Sequence, residues 1–268
     1  MTANNHPLVS VIIACYNAER YISDCLETII NQTYNNIEIL VCDDNSSDNS
    51  YEILKKYSQI DDRIIVLKND SNLFAAETRN RCINQSNGEY LLIQDIDDKS
   101  EESRIEILLN QILNEEIDFV SSDMIPFSDE GIDEVKTIVR KPEYPDKNDF
   151  LWGLPFYHAA TLFKRECVLS VDGYRIAKET RRGQDYDLFM RLYAAGFKGK
   201  NIYEKLYWYR INTDTIKRRN FSARVDECVL RYKGFRKLGL LPKGVPYLFK
   251  PIFAYFYKLI RYRKFLNH

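Results

Sequence analysis

Short apolar runs alternate with segments of helical periodicity through the first 123 residues. The run 8–14 is rich in β-branched residues, as expected for a strand that is buried on both faces of a sheet. Comparable runs predict four further strands, at 37–42, 63–67, 90–93 and 117–121. Between them, apolar residues recur at helical spacing and predict helices over 21–30, 53–60, 74–85 and from about Ser100 to 112. This alternation predicts an α/β fold with a mostly parallel central sheet flanked by helices on both faces.

The pattern becomes irregular after Met124, where prolines interrupt shorter strands predicted at 159–163 and 206–210. A helix is predicted from Gln184 to about 195, ended by Gly196. We therefore expect one domain over 1–220, made of a first half (1–123) and a second half (124–220), followed by a distinct tail (221–268).

Three carboxylates follow the fourth predicted strand, in Asp95-Ile96-Asp97-Asp98. Ligands of open α/β sheets bind at the carboxyl ends of the strands, and Mg²⁺ or Mn²⁺ prefers oxygen ligands. An Asp-x-Asp pair at this place is therefore a candidate site for a divalent cation. The alternative is that these acids cap the helix that opens near Ser100 and otherwise face solvent.

The first glycine of the chain is Gly88. The early strands are therefore not followed by the glycine-rich loops that cradle phosphates in dinucleotide-binding enzymes and P-loop nucleoside triphosphatases. This gap disfavours both classes. A diphosphate bound at this sheet would need a cation to neutralise it, which favours the cation site at Asp95 and Asp97.

Two further acidic segments are candidate functional elements. The segment 42–48 follows the second strand, and a carboxylate there is suited to accept hydrogen bonds from a base or ribose; the alternative is a turn that caps the next helix. Asp185 shares a helical face with Phe189 and Leu192, which would turn it toward a cleft, as a general base requires. The alternative is a first-turn acid that stabilises the helix dipole.

Taken in order, these fragments resemble the inverting glycosyltransferases of family 2, which have the Rossmann-like GT-A fold. The resemblance covers roughly residues 8–212. It depends on fragments that are individually weak and jointly specific, namely Val9-Ser-Val-Ile-Ile-Ala-Cys-Tyr-Asn17, Asp43-Asp44-Asn45-Ser46, Thr78-Arg79-Asn80, Gly88-Glu-Tyr with Asp95-Ile-Asp97-Asp98, and Gln184-Asp185 with Leu188 and Arg191.

The resemblance implies a role for each matched residue. Asp97 and Asp95 would bind Mn²⁺ or Mg²⁺, and Asp95 would also face the ribose. Asp185 would be the catalytic base that removes a proton from the acceptor hydroxyl. The donor would be a nucleotide sugar, most simply a uridine diphosphate (UDP) sugar, and four more residues would line its site: Tyr16, Asn17, Asp44 and Arg79.

Four positions depart from the usual pattern of that family. Phe74 and Cys82 stand where glycines are common, so the loop that borders the donor is expected to be bulkier. Gln184 replaces the glutamate that usually precedes the base, and Asn212 replaces a frequent histidine. If that histidine helps to hold the metal, Asn212 would do so only through a neutral amide oxygen.

The net charge of −1 conceals an uneven distribution. Residues 1–227 carry 28 basic and 39 acidic groups, whereas residues 228–268 carry 10 basic groups and no acidic one. The tail is also rich in aromatic residues, so a basic helical segment over 243–268 is expected to lie on an anionic inner-membrane surface. The alternative is that it packs on the domain. The acidic main body argues against nucleic-acid binding.

The sequence thus predicts a metal-dependent transferase that moves a sugar to a hydroxyl of a glycan or lipid-linked glycan, in synthesis of an O-antigen, capsule or similar surface polysaccharide. Six dispersed cysteines without metal spacing, and the absence of a secretory signal, predict a cytoplasmic protein. The basic tail extends this expectation to the inner face of the membrane, as one of its two interpretations. Two alternatives stay open: a sugar-nucleotide nucleotidylyltransferase, and a non-catalytic sugar- or polyisoprenoid-binding protein.

Overall fold

The structure is a computed structural model that describes residues 6–129, 139–211 and 221–257. Its centre is one eight-stranded sheet with the order β3-β2-β1-β4-β7-β6-β8-β5. The strands are β1 (Val9–Cys15), β2 (Ile37–Asp43), β3 (Ile64–Lys68), β4 (Tyr90–Asp95), β5 (Lys99–Ser100), β6 (Phe119–Phe127), β7 (Thr161–Lys164) and β8 (Gly199–Arg210).

The first four strands form the parallel part of the sheet. β1 lies between β2 and β4, and β2 pairs with β3, all in parallel. β1 is buried along almost its whole length, which explains its continuous apolar sequence. The helices are α1 (Ile22–Ile30), α2 (Ser50–Ile60), α3 (Phe74–Gln85), α4 (Arg104–Asn114), α5 (Arg165–Ser170), α6 (Gln184–Ala194), α7 (Phe221–Lys237) and α8 (Val245–Leu248).

The second half of the chain extends the same sheet. β7 pairs antiparallel with β4 and with β6, and β8 runs parallel to β6. The expected division between residues 123 and 124 lies within β6, so the sheet is continuous across it. The predicted α/β architecture with a mostly parallel centre is confirmed, since the antiparallel pairings occur only from β7 outward.

Two apolar cores cover the two faces of the sheet, because alternate residues of each strand point to opposite sides. On one face, α1 and α4 pack against Val11 and Ile13. On the other face, α3, α6 and α7 pack against Ile12 and Leu91. The strand ends that carry the site residues are therefore held in place by helices packed on both faces of the sheet.

The helix predicted from about Ser100 is present as α4, but its predicted start is wrong. Ser100 belongs to β5, which pairs antiparallel with β8 at Tyr207, and α4 begins at Arg104. The short strand is held by a partner more than 100 residues away, and a local pattern does not encode such a pairing. The acids of 95–98 are accordingly not the cap of this helix.

The first part of the predicted tail packs on the domain. Leu230 and Phe235 of α7, with Leu240 and Leu248, are buried in the core that α3 and α6 share. A helical segment follows over 250–257. The remaining tail residues lie outside the described ranges, and so does Asn212. Within the described ranges, every helix is too short or too polar to cross a bilayer.

Candidate active site

The carboxyl ends of β1, β2 and β4 meet at one edge of the sheet, because the three strands are parallel neighbours. Cys15 is in register with Asp43, and Ala14 is in register with Asp95. The segments that follow these strands carry most of the predicted site residues. The structure thus brings Tyr16, Asp44 and Asp95 to the same edge.

Arg79 and Asp95 form an ion pair at this edge. Arg79 Nη2 donates to Asp95 Oδ1 at 2.5 Å, and the side chain of Arg79 is only 8% exposed. Its Nε and Nη1 atoms have no hydrogen-bond partner among the described residues. Buried N–H groups without acceptors are costly, so this guanidinium is suited to receive further oxygen atoms from a ligand.

Asp97 and Asp98 differ in their surroundings although they are adjacent. Asp98 is buried and turned inward: its Oδ2 accepts from the Tyr207 hydroxyl at 2.7 Å, and its Oδ1 accepts from the Arg210 backbone N–H at 2.7 Å. Burial, with the charge of Asp95 as the next cause, raises the pKa of Asp97 to about 6 and that of Asp98 to about 8. Crowded carboxylates with raised pKa values are a setting that a cation stabilises.

Asp95 and Asp97 supply two carboxylates for such a cation. Within the described residues, His, Cys, Asp and Glu side chains do not form any group of three or more that would hold a metal ion. Mg²⁺ and Mn²⁺ sites are commonly completed by water and by substrate phosphates. The residues present therefore fit a cation that is shared with a phosphorylated ligand rather than one that is enclosed by protein.

Asp44 is fixed by the loop that precedes α3. Its Oδ1 accepts from Asn69 Nδ2 and from the backbone N–H of Leu73, both at 2.7 Å. Phe74 follows with a φ of 65°, in the left-handed region where glycine is favoured, and its ring is half-exposed. Phe74 therefore contributes the bulk that the sequence indicated, with Arg181 over its ring at 3.6 Å from the centroid, whereas Cys82 is buried within α3 and does not border the loop.

Tyr16 and Asn17 lie after β1. The Tyr16 ring is 50% exposed at the edge of the sheet. Asn17 joins the loops after β1 and β2, because its backbone N–H donates to Ser46 Oγ at 2.9 Å and its Oδ1 accepts from the Ser47 N–H at 2.8 Å. Its side chain is thus engaged with protein, whereas the Tyr16 ring is open to a ligand.

Asp185 occupies the first turn of α6, facing the strand ends. Its Oδ1 accepts from the Tyr186 backbone N–H at 2.8 Å, and it is close enough to Arg79 and Asp95 for their charges to affect it. Burial raises the pKa of Asp185, although the Tyr186 N–H and Arg79 oppose the shift. Asp187, two residues later, is instead paired with Arg175 and Arg191.

Tyr174 and His158 also belong to this cluster, and the sequence did not single them out. His158 Nε2 and the Tyr174 hydroxyl share a hydrogen bond of 2.5 Å, and burial, followed by the charge of Arg79, lowers the pKa of His158 to about 3. The Tyr174 ring lies under the Arg79 guanidinium, 5.9 Å from centroid to Cζ. Tyr174 thus lies close to both Arg79 and Asp185, and His158 lies next to Tyr174.

Asn80 holds Tyr174 in place from α3. Its Nδ2 donates to the Tyr174 carbonyl at 2.7 Å, and its Oδ1 accepts from the Tyr174 N–H at 2.8 Å. Gly173 makes this approach possible, because its φ is +61° and a Cβ there would lie 2.5 Å from Asn80 Oδ1. The Asp172-Gly173 dipeptide was the available sequence signal for a turn at this point.

A cavity of about 480 Å³ has Asp185 in its wall. It lies between the start of α6 and α7, and its wall includes Tyr186, Arg224 and Arg231. The candidate site therefore has two parts: the strand edge that carries Asp44, Asp95 and Asp97, and this cavity beyond Asp185.

Comparison with known proteins identifies the class to which this arrangement belongs. Residues 10–169 match the family described as Glycosyl transferase family 2. The chain belongs to glycosyltransferase family 2, and it is therefore a nucleotide-sugar-dependent enzyme of a family whose members act with inversion. The family decides among the alternatives that the sequence left open, in favour of glycosyl transfer.

Individual relatives span nearly the whole chain. It is 33% identical over 255 residues to the putative glycosyltransferase EpsE of Bacillus subtilis (strain 168), with 94% of this chain and 91% of EpsE covered. It is 27% identical over 225 residues to WfaP of Escherichia coli, a UDP-Glc:alpha-D-GlcNAc-diphosphoundecaprenol beta-1,3-glucosyltransferase, with 82% of this chain and 84% of WfaP covered.

Solved structures agree on the fold. Residues 1–349 of Staphylococcus aureus TarS, in complex with UDP-GlcNAc, superpose with a TM-score of 0.72 at 18% identity, over 90% of this chain and 72% of that one. The mannosyltransferase PcManGT of Pyrobaculum calidifontis, in complex with GDP-Man and Mn²⁺, superposes with a TM-score of 0.63 at 16% identity, over 94% and 75% of the two chains. The chain has the GT-A type of fold.

Proposed function

We propose that the protein transfers a sugar from a UDP-sugar to a hydroxyl of a lipid-linked glycan, with inversion at the anomeric carbon, in the synthesis of a bacterial surface polysaccharide. The observation that carries this proposal is the convergence of Arg79, Asp95 and Asp185 at one edge of the sheet. Arg79 and Asp95 are suited to bind a diphosphate, directly or through a cation, and Asp185 is a carboxylate suited to accept a proton.

The strand edge is the donor side in this proposal. Asp95 and Asp97 would hold Mn²⁺ or Mg²⁺ together with the donor diphosphate, and the cation when bound would neutralise the charge of the leaving diphosphate. The unpartnered Nε and Nη1 atoms of Arg79 would bind phosphate oxygens. Tyr16, Asn17 and Asp44 would line the nucleoside end of the site. TarS with UDP-GlcNAc and PcManGT with Mn²⁺ support the donor class and the cation.

Asp185 is the proposed base. Its carboxylate would accept the proton of the acceptor hydroxyl while the hydroxyl oxygen forms a bond to the anomeric carbon. The bond from that carbon to the diphosphate oxygen breaks on the opposite face, and its electron pair leaves with the diphosphate. Burial raises the pKa of Asp185, which makes the carboxylate a stronger proton acceptor. Tyr174 and His158, which lie beneath, would keep water away from this path.

A lipid-linked acceptor is supported by the exposed aromatic patch next to the Asp185 cavity. The patch is defined as Trp152, Val245, Phe249, Phe253 and Tyr257, and 65% of Trp152 and 69% of Phe253 are exposed. Lys250 lies beside it and donates to the Trp152 carbonyl at 2.5 Å. Exposed aromatic residues with cations around them suit an anionic membrane surface. WfaP supports the same acceptor class, because its substrate is a diphosphoundecaprenol-linked sugar.

Calorimetry with UDP tests the donor side. We expect wild-type protein to bind UDP more tightly with Mn²⁺ than with EDTA, and Asp97→Asn to lose most of that difference. Asp70→Asn, an exposed loop aspartate, is the control for loss of one negative charge. A panel of nucleotide sugars, scored by enzyme-dependent release of the nucleoside diphosphate, then identifies the donor. UDP binding that is indifferent to Mn²⁺ and to Asp97 would contradict the metal assignment.

Vesicle sedimentation tests the membrane side. The double variant Phe249→Ser/Phe253→Ser is expected to reduce binding to phosphatidylglycerol vesicles by about thirtyfold or more, since each phenylalanine contributes roughly 1–2 kcal/mol when it leaves water and about 1.4 kcal/mol is a factor of ten. Ile60→Ser removes another strongly exposed apolar residue and should change nothing. Equal sedimentation of the three proteins would remove the patch from the proposal.

A further inference from the structure

The cavity beyond Asp185 contains two buried arginines with unsatisfied hydrogen-bond donors. The side chains of Arg224 and Arg231 on α7 are 9% and 5% exposed, and both line the cavity. The Nε atom of each has no hydrogen-bond partner among the described residues. A buried guanidinium N–H without an acceptor is unfavourable by about 1–3 kcal/mol. An oxygen atom of a ligand would remove that cost.

The neighbouring protein groups orient these two arginines without neutralising both of their charges. Glu227 is 3.1 Å from Arg224 and 3.6 Å from Arg231, so one carboxylate is shared by two cations. The Arg231 Nη1 atom also donates to the Leu151 carbonyl at 3.3 Å, and its guanidinium lies over the Tyr186 ring. These contacts orient the two side chains and leave one positive charge in excess.

Two more features of the cavity favour an anion. Lys178 and Arg181 also line it. Lys178 is strongly exposed and lies 3.8 Å from Asp226, so its ammonium group can either stay paired with Asp226 or turn to an anion in the cavity. Glu179, another wall residue, is already paired with Arg175 and Lys233. Neutral sugars are usually bound by aromatic rings and by mixed donors and acceptors. Buried arginine pairs instead suit phosphate oxygens, which they contact in a charge-assisted geometry.

We propose that this cavity binds the phosphate group of a phosphate-bearing, lipid-linked acceptor, with Arg224 and Arg231 as its ligands. The inference rests on the proposed function and adds a recognition element to it. The cavity wall includes Gly153 and Leu154, which follow Trp152 of the aromatic patch in the chain. A lipid diphosphate seated at the arginines would thus have its chain directed to the patch and its sugar directed to Asp185.

The proposal also explains why a helix outside the family match completes the site. The family match ends at residue 169, whereas α7 spans Phe221–Lys237. The donor edge, defined as the strand edge with Asp44, Asp95 and Asp97, lies within the matched residues, whereas the two arginines, like Asp185, lie beyond them. Acceptor recognition is the function expected to differ between relatives that share a donor fold.

Calorimetry with farnesyl diphosphate in EDTA tests the cavity directly. We expect Arg224→Gln and Arg231→Gln each to raise the Kd for farnesyl diphosphate by about tenfold or more, because each loses charge-assisted hydrogen bonds. Arg236→Gln removes an exposed arginine of the same helix and should change the Kd by less than about twofold. Inorganic pyrophosphate should bind with the same dependence on the arginines, and farnesol should show none.

Ser222→Glu keeps the test decisive if an arginine variant unfolds. Ser222 is exposed and lines the cavity, so the new carboxylate should repel a diphosphate and raise the Kd severalfold without removing a structural contact. An unchanged Kd in Ser222→Glu, or farnesol binding as tight as that of the diphosphate, would overturn the inference. UDP and Mn²⁺ titrations on the same samples separate the two proposals. If farnesyl diphosphate does not bind to the cavity but UDP binding is intact, the cavity proposal is wrong and the proposed glycosyl transfer is unaffected.

Discussion

The strand edge proposed for the donor and the cavity proposed for the acceptor differ in the groups that each offers to a ligand. At the donor edge, Asp44 and Asp98 each accept two hydrogen bonds from elsewhere in the chain, and Asp95 is paired with Arg79. Arg79 at the edge keeps two unpartnered donors, and Arg224 and Arg231 in the cavity keep one each. The donor edge therefore combines fixed carboxylates with one arginine that is open to a ligand, whereas the cavity offers two such arginines from a single helix.

The sheet explains this difference. The donor edge is formed by parallel neighbours that are buried on both faces, so its loops start from fixed points. The cavity is formed where α6 meets α7, and these two helices are connected through side-chain packing and not through backbone pairing. A donor site that is common to a family fits the first arrangement, and an acceptor site that changes between members fits the second.

The largest effect is expected at the residue between the two regions. Asp185→Asn should lower kcat by about 10³-fold, in the range typical of a lost general base, and leave UDP binding unchanged. Because burial raises the pKa of Asp185, the ionised form costs stability at neutral pH. The variant should therefore unfold at an equal or higher temperature. Retained turnover in single-turnover assays would remove Asp185 as the base.

Arg79→Gln should act on the donor side alone. Loss of the guanidinium removes the partner of Asp95 and the donors offered to a phosphate, so the Kd for UDP with Mn²⁺ should rise by about tenfold to a hundredfold. Binding of farnesyl diphosphate to the cavity should be unaffected. Arg20→Gln, at an exposed position after β1, serves as the charge-matched control. Equal losses for both ligands would mean that the two regions are not separate.

The pattern of the sequence predicted the donor edge better than the cavity, for a physical reason. β1, β2 and α3 are encoded by local runs, and α3 was predicted with the bounds that the structure has, Phe74–Gln85. Acids that follow such strands are brought together by parallel pairing alone, so Asp44 and Asp95 could be placed from sequence. Their individual roles are not a consequence of the pattern and stay predictions.

The remaining features depend on contacts between distant segments. β5 forms through its pairing with β8, and His158 comes close to Arg79 together with Tyr174, its hydrogen-bond partner. Arg224 and Arg231 read as ordinary charges of a basic tail until α7 is packed against α6. Their burial is a tertiary property, so neither charge counts nor periodicity could indicate a cavity there.

The pH dependence of turnover should report the environment of Asp185. The base must be ionised, and burial raises its pKa, so kcat should fall as pH decreases through that raised pKa, by about tenfold per unit on the acid limb. Gln184→Glu adds a carboxylate beside the base and should move this limb to higher pH, since a neighbouring negative charge disfavours ionisation. Coincident acid limbs in the two proteins would indicate that another group controls the profile.

The smallest expected effect concerns the link between α3 and the turn before Tyr174. Gly173 and Gly196 both have positive φ, +61° and +94°, but a Cβ at Gly173 meets Asn80 Oδ1 at 2.5 Å whereas one at Gly196 meets nothing within 4 Å. Gly196→Ala should therefore cost about 1 kcal/mol of unfolding free energy from backbone strain alone. Gly173→Ala should cost at least about 1 kcal/mol more. Both ends of the Asn80 amide are hydrogen-bonded to the Tyr174 backbone, so Asn80 cannot move away from the new Cβ without breaking these bonds. Urea denaturation measures both values. Equal losses would show that Asn80 does not tie the Tyr174 loop to the donor side.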